Sequence, residues 1–289
     1  MLSDHLARAA LAADRWRCGL RAKFCMVGEQ PWHYLEGGVG KRETIVLLHG
    51  FGADKDNWTR FAGRLRANYH VIAVDLPGFG ENPCRQGLDY SMAAQAERLR
   101  GLLSALGVGR CHMAGSSMGG HLTAVYAQRY PQQLRSICLF NNGGIQAPER
   151  CDMERDLEKG VNPLLVSSES DFDRLLALVC EKQPFLPRLV RNYMARAAMA
   201  RRECIAAIFR QYQQEIYGGL DAVLPALSLP ALVIWGRQDR VLDVSSVEVM
   251  RPMLAHASVT IMEQTGHLPM LERPAASAKC YQQFLSSLA

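Results

Sequence analysis

Three residue types that together make a hydroxyl nucleophilic, a serine, a histidine and a carboxylate, stand in this chain in contexts that could bring them together. The serine is Ser117, within Gly115-Ser116-Ser117-Met118-Gly119-Gly120. A Gly-x-Ser-x-Gly turn between a strand and a helix holds its serine in a cramped backbone conformation, and a Cβ at either flanking glycine would clash with the neighbouring strand and helix. The same turn sets the hydroxyl at a helix N-terminus, where N–H groups favour developing negative charge. Alone the pattern is weak, because a turn capped by serine looks the same. Its context adds weight: the apolar run Cys111-His112-Met113-Ala114 precedes it, and a helical pattern from Leu122 to Arg129 comes after it.

His267 is the candidate base. It follows the last strand-like run and sits beside Gly266, which lets the loop turn toward the nucleophile. A neutral imidazole there takes the Ser117 proton and returns it to the leaving group. His121, four residues past the nucleophile on the same helix, reads as a packing or pocket residue, and His112 as a buried strand residue. Asp239 is the candidate acid, four residues beyond the run 231–235, where it would accept the Nδ1–H of His267 and fix its tautomer. Asp243, one helical turn on, competes with it. Asp75 lies before Ser117 in the chain, in a Pro-Gly-rich loop that suggests a structural role. An oxyanion hole needs two backbone donors. The N–H of Met118, just after the nucleophile, and the N–H of Phe51, in the loop shaped by His49-Gly50, are the candidates.

These residues need a scaffold that delivers them to one place. Thr44–Leu48 is a continuous β-branched and leucine run, as expected for a strand buried on both faces. Further strands are expected at His70–Val74, 111–114, Leu134–Phe140, Ala231–Trp235 and Ser258–Met262, after a hairpin of Ala22–Val27 and Pro31–Glu36 around Gly28-Glu29. Helices are expected at Trp58–Ala67, with Asp56-Asn57 as caps, at Ser91–Leu106, at 118–129, at Val244–Leu254 and at Pro274–Leu288. Repeated βα units make a mostly parallel sheet with helices on both faces, and function gathers at the carboxyl ends of its strands. His49, Asp75, Ser117, Asp239 and His267 all follow expected strands, so they converge on one edge. The alternation breaks at 145–224, where helical segments interrupted by Pro163, Pro184 and Pro187 read as an insertion. The organisation is therefore an amphipathic N-terminal helix at 1–21, a core at 22–144 and 226–289, and a helical cap at 145–225.

Bulk composition excludes several classes. The 289 residues, 48% apolar and 21% charged with net charge +5, describe a globular chain with room for a large core. No basic run with interleaved aromatics points to nucleic acid. No apolar run of about eighteen residues points to a membrane span. The nine cysteines are scattered, odd in number and without a Cys-x-x-Cys pair, which argues for a reducing compartment and hence the cytoplasm.

Taken jointly, His49-Gly50-Phe51-Gly52, Asp75-Leu76-Pro77-Gly78-Phe79-Gly80, the Gly115–Gly120 turn and Gly266-His267 resemble the α/β-hydrolase superfamily, over roughly residue 22 to the end. Within it, the runs His49–Trp58, Ile234–Val244 and Gly266-His267 followed by Met270-Leu271-Glu272-Arg273-Pro274 are similar to the monoacylglycerol-lipase type and its bacterial lipase and esterase relatives. That resemblance implies hydrolysis of acylglycerols, lysophospholipids or other medium- and long-chain esters through an acyl-enzyme on Ser117. It favours Asp239 over Asp243. Membrane-bound relatives carry an N-terminal transmembrane helix, and this chain shows none.

No metal or organic cofactor is needed for that chemistry. The insertion carries apolar positions, from Leu164 to Phe209, that suit either an acyl pocket or ordinary packing, and its basic second half suits either an anionic headgroup or lipid surface or a solvated helix face. Residues 1–21 place Leu2, Leu6, Trp16 and Leu20 at helical spacing among arginines, so they suit either a membrane surface or packing on the body. The alternatives to ester hydrolysis are a C–C bond hydrolase of ring-cleavage diketones and a catalytically weak ligand-binding protein. Ser117 at the turn disfavours dehalogenases and epoxide hydrolases, which use aspartate there.

Overall fold

The computed structural model describes residues 2–288. Its centre is an eight-stranded sheet built from β1 (Arg21–Val27), β2 (Gln30–Gly37), β3 (Thr44–Leu48), β4 (His70–Val74), β5 (Cys111–Ser116), β6 (Leu134–Phe140), β7 (Ala231–Gly236) and β8 (Ser258–Met262), in the order β1-β2-β4-β3-β5-β6-β7-β8. The first hairpin joins antiparallel, and every pairing from β4 to β8 is parallel. Period-two alternation divides the core between the two faces. On β3, Val46 and Leu48 pack with Val74, Met113 and Trp235 on one side, while Ile45 and Leu47 pack with Trp58, Phe61 and Tyr281 on the other.

The helices are α1 (Leu2–Arg17), α2 (Thr59–Leu65), α3 (Met92–Ala105), α4 (Met118–Arg129), α5 (Asp152–Glu158), α6 (Glu169–Val179), α7 (Arg188–Ala200), α8 (Arg202–Tyr212), α9 (Ser246–Met253), α10 (Pro269–Glu272) and α11 (Pro274–Ser286). Ser91 caps α3 by accepting from Ala94 N–H, and Gly107 follows that helix at φ +65°. The segment before α2 differs from expectation. A 3₁₀ turn occupies Lys55–Trp58, and Asp54, rather than Asp56 or Asn57, caps it. The first helix stops at Arg17, short of residue 21, because Gly19 turns left-handed and Leu20 N–H returns to Arg15 O. Leu20 is then buried, while Leu2, Leu6 and Trp16 remain exposed. The helix expected over Val244–Leu254 begins at Ser246, since Asp243 accepts the Ser245 N–H and makes the turn before it.

Helices α5–α8 lie between β6 and β7, and α8 is pinned at one side. Arg201, just before α8, donates to the carbonyls of Gly78, Gly80 and Asn82 at 2.7, 2.6 and 2.8 Å. Gln211 Oε1 accepts the Tyr90 N–H at 2.8 Å. A disulfide joins Cys84 to Cys204. The scattered cysteines give no sign of this pairing: the partners are 120 residues apart in sequence, and only the docking of α8 on the 77–92 segment brings them together. No described helix is long and apolar enough to cross a membrane.

Candidate active site

Each candidate sits at the carboxyl end of a strand. Ser117 follows β5 and heads α4 with φ +55° and ψ −119°. This strained turn is held by Ser117 N–H to Phe140 O at 2.9 Å and by three N–H groups, of Gly120, His121 and Gly143, that converge on Ser117 O at 3.0 Å each. The glycines flanking it are there for space. A Cβ on Gly115 would lie 2.0 Å from Gly119 O, and one on Gly119 would lie 2.3 Å from Leu48 O. Ser117 itself is half-buried among buried neighbours.

Asp239, after β7, and His267, after β8, are both buried, with His267 Nδ1 2.8 Å from Asp239 Oδ2. All four acceptor positions of the carboxylate are used. Oδ1 takes the N–H groups of Val241 and Leu242 at 2.8 and 3.0 Å, and Oδ2 also takes Asn141 Nδ2 at 2.6 Å. With three of its positions taken by these donors, the carboxylate has its remaining lone pair on Oδ2 for the imidazole Nδ1. That arrangement fixes the proton of His267 on Nδ1 and frees Nε2 as an acceptor. Asp243 is spent on the turn before α9 and does not reach His267. Among the described residues Ser117 Oγ and His267 form no direct hydrogen bond; such contacts are often long in ligand-free sites and tighten with substrate.

Asn141 is the residue that sequence reasoning passed over. It lies directly after β6 with φ +41°, gives Nδ2 to Asp239, and accepts Gly236 N–H on Oδ1 at 3.3 Å. It thereby ties Asp239 to the end of β7. The only signal was its place in the Asn-Asn-Gly-Gly run after a strand, which reads as an ordinary turn.

The backbone at residue 50 lies against Ser117: a Cβ on Gly50 would meet Ser117 Cβ at 3.1 Å and Oγ at 3.7 Å. The N–H groups of Phe51 and Met118 take no internal hydrogen bond among the described residues, so both remain available to a ligand. Two loops brace this corner. His49 Nε2 accepts Leu76 N–H at 3.0 Å while its Nδ1 lies 2.7 Å from Gly50 O, a pattern that requires the Nδ1–H tautomer. Burial holds that imidazole below its usual range, hence neutral. Asp75 accepts Lys55 N–H and Lys55 Nζ, both at 2.8 Å, and Glu81 N–H at 2.9 Å. It therefore locks the loop after β3 to the loop after β4. Breaking such a buried pair typically costs about 3–5 kcal/mol.

Aromatic rings cover the same corner. Phe51 meets Phe79 and Phe209 edge-on at 5.6 and 5.4 Å and stacks on Tyr212 at 6.3 Å. The last two belong to α8. His121 is buried beside Tyr212, and burial pushes its pKa down to about 4. His112 is buried in β5 and bonded to Ser136.

A strained serine turn, a mostly parallel sheet and a buried Asp–His pair on neighbouring strand ends fit one class of fold, and the chain belongs to the alpha/beta hydrolase family, whose pattern matches residues 45–279. Among particular proteins, it is 34% identical to Lipase 1 of Psychrobacter immobilis, over 88% of this chain and 80% of that one. It is 31% identical to monoacylglycerol lipase abhd6-B of Xenopus laevis, over 94% and 85%. It is also similar to the crystal structure of a membrane phospholipase A described as a bacterial virulence factor. That match has TM-score 0.96 and 44% identity, covering 99% of this chain and 92% of the other.

Proposed function

We propose that this protein is a serine hydrolase of lipid-type carboxylic esters, with monoacylglycerols, lysophospholipids and medium- or long-chain monoesters as its substrates. It is an esterase of the lipase kind, in keeping with relatives that are lipases, a monoacylglycerol lipase and a phospholipase A. The observation that carries the serine mechanism is the 2.8 Å Asp239–His267 pair standing on the strand ends beyond an elbow serine at φ +55°.

In this reading Ser117 attacks the acyl carbonyl and His267 Nε2 takes its proton. Asp239 stabilises the imidazolium without being protonated itself. The N–H groups of Phe51 and Met118 hold the oxyanion, each worth about two to three orders of magnitude in rate. His267 then protonates the leaving alcohol, and a water that it activates clears the acyl-enzyme. Residues 145–225 act as the cap. Phe51, Phe79, Ile208 and Phe209 offer an apolar wall beside the oxyanion corner, where each buried CH₂ of an acyl chain contributes about 0.8 kcal/mol.

The same protein works at a lipid surface. Leu2, Leu6 and Trp16 on α1 are exposed, as are Phe185, three residues before α7, and Leu189 in its first turn. The two helices are joined by Arg196–Asp4 and by Arg8 Nε to Tyr193 at 3.2 Å. A groove of about 360 Å³ between them is lined by Ser3, Arg188, Leu189, Asn192 and Arg196. Exposed apolar residues beside arginines suit insertion at an anionic interface. The Cys84–Cys204 bond favours an oxidising compartment over the cytoplasm that the thiol pattern suggested.

Hydrolysis of p-nitrophenyl esters from C2 to C16, with Ser117→Ala alongside, tests the chemistry. Turnover should peak between C6 and C12 and vanish in the variant. Activity confined to C2, or surviving in Ser117→Ala, rejects the reading. Co-sedimentation with anionic liposomes should drop in Leu2→Glu/Leu6→Glu, and unchanged binding rejects the surface assignment.

A further inference from the structure

The run Met270–Pro274 carries a carboxylate that the proposed reaction leaves unused. The short helix α10 begins two residues after His267 and returns Glu272 across the loop it has just left. Glu272 Oε1 accepts the N–H groups of Gly266 and Leu268, the two neighbours of His267, at 2.9 and 3.4 Å. Its Oε2 accepts the N–H groups of Glu181 and Lys182 at 2.9 and 3.0 Å. The N–H of His267 itself goes to Val179 O at 3.0 Å. Three consecutive peptide groups around the imidazole are thus fixed, two by Glu272 and one by the end of α6.

The acid is held to the same segment. Arg240, next to Asp239, donates Nη2 to the carbonyls of Ala177 and Cys180. Residues 177–182 therefore form a strap across both loops, bonded by its carbonyls and by its N–H groups. The approach is close enough that a Cβ on Gly266 would lie 2.7 Å from Glu181 N. The strap is the continuation of α6, so the seating of the inserted helices and the separation of Asp239 and His267 are one mechanical variable.

We infer that Glu272 is a positioning residue that sets the His267 loop against the 177–182 strap, with Arg240 performing the matching task for Asp239. The inference rests on the reading of His267 as base. A carboxylate is required because both of its oxygens face pairs of donors. In Glu272→Gln one edge must present N–H₂ to two N–H groups, so either the strap or the His267 loop is released although the side chain keeps its size. Displacing a catalytic group by about 1 Å costs on the order of 100-fold in rate.

The experiment is steady-state hydrolysis of a medium-chain p-nitrophenyl ester by Glu272→Gln, Arg240→Met, the double variant and His267→Ala. The rate of Ser117 labelling by a fluorophosphonate and a thermal melt accompany each. Glu272→Gln should lower kcat by about 10- to 100-fold with KM changed less than threefold, and should slow labelling by the same factor. Arg240→Met should give the same split, and the double variant should fall short of the product of the two single losses. A folded Glu272→Gln with kcat within twofold of the parent overturns the inference, as does a loss carried in KM or one that disappears at temperatures well below the melt. Should Glu272→Gln not fold, Arg240→Met alone decides by the same criteria. Full activity in His267→Ala instead overturns the base assignment on which the inference stands.

Discussion

Replacing Asp239 by asparagine changes one heavy atom, and the hydrogen-bond pattern dictates the outcome. Oδ1 faces two backbone donors, Val241 and Leu242 N–H at 2.8 and 3.0 Å, so only the amide oxygen can occupy that side. The new N–H₂ must then take the place of Oδ2, facing His267 Nδ1 at 2.8 Å and Asn141 Nδ2 at 2.6 Å. Asn141 has no freedom to turn over, because its oxygen accepts Gly236 N–H. The imidazole can meet a donor only by losing its Nδ1 proton, which moves to Nε2, the nitrogen that in the proposed mechanism accepts from Ser117. Removing the productive tautomer in this way costs about 10⁴ in kcat, or about 5.5 kcal/mol of transition-state stabilisation. The donor–donor contact with Asn141 adds a stability loss of about 1–3 kcal/mol. The assay is kcat on p-nitrophenyl octanoate with a urea melt of each protein, and Asp243→Asn as the control. Asp243→Asn keeps a side-chain oxygen to accept the Ser245 N–H and should keep kcat within a few-fold. A folded Asp239→Asn within tenfold of the parent, or a greater loss in Asp243→Asn, would refute the reasoning.

Other perturbations are equally specific. Gly119→Ala brings a Cβ to 2.3 Å from Leu48 O, a backbone atom that cannot step aside, so equilibrium unfolding should show a loss of at least about 3 kcal/mol or no folded protein. His121 is neutral and buried, with its pKa pushed down to about 4 against an ordinary 6.5. The unfolded chain therefore binds the extra proton first as pH falls, and stability present above pH 6.5 should decline by roughly 3 kcal/mol as pH approaches 4. Urea midpoints at pH 7 and 4.5 should separate more in the parent than in His121→Leu. Reducing Cys84–Cys204, whose partners lie 120 residues apart, should lower stability by about 2–5 kcal/mol, and Cys84→Ser/Cys204→Ser should melt at the reduced protein's temperature whether or not dithiothreitol is added.

Much of the scaffold could be read from the chain because its signals are local. The β-branched runs at Thr44–Leu48, His70–Val74 and Ser258–Met262 are strands at those bounds. The glycines around Ser117 stand where the backbone comes within 2.0–2.3 Å of a missing Cβ. Other features depend on residues far apart in sequence. Nothing near Asn141 announces that its amide will hold Asp239, 98 residues later. Arg201 reads as one charge in a basic stretch, yet it is half-buried on three carbonyls of the 78–82 loop. The periodicity of α1 locates a helix, but it does not tell which side faces out. The small Ala7 faces in, and the larger Leu2 and Leu6 do not. Each of these is decided when one element docks on another, and local pattern carries no record of docking.

The hydrogen bonds between residues 177–182 and the loops of Asp239 and His267 bear on how proteins of this shape can exchange parts. An insertion between adjacent parallel strands looks like a detachable module, free to be traded for another that accepts a different ester. Here the graft would arrive at Phe140 and leave at Ala231, but it would also have to supply a carbonyl for His267 N–H and two N–H groups for Glu272. A transplanted cap lacking these three groups would bring a new pocket and, at the same time, leave the imidazole loop unmoored. Productive shuffling in this scaffold is therefore expected to preserve a short stretch equivalent to 177–182 while the helices around it vary freely.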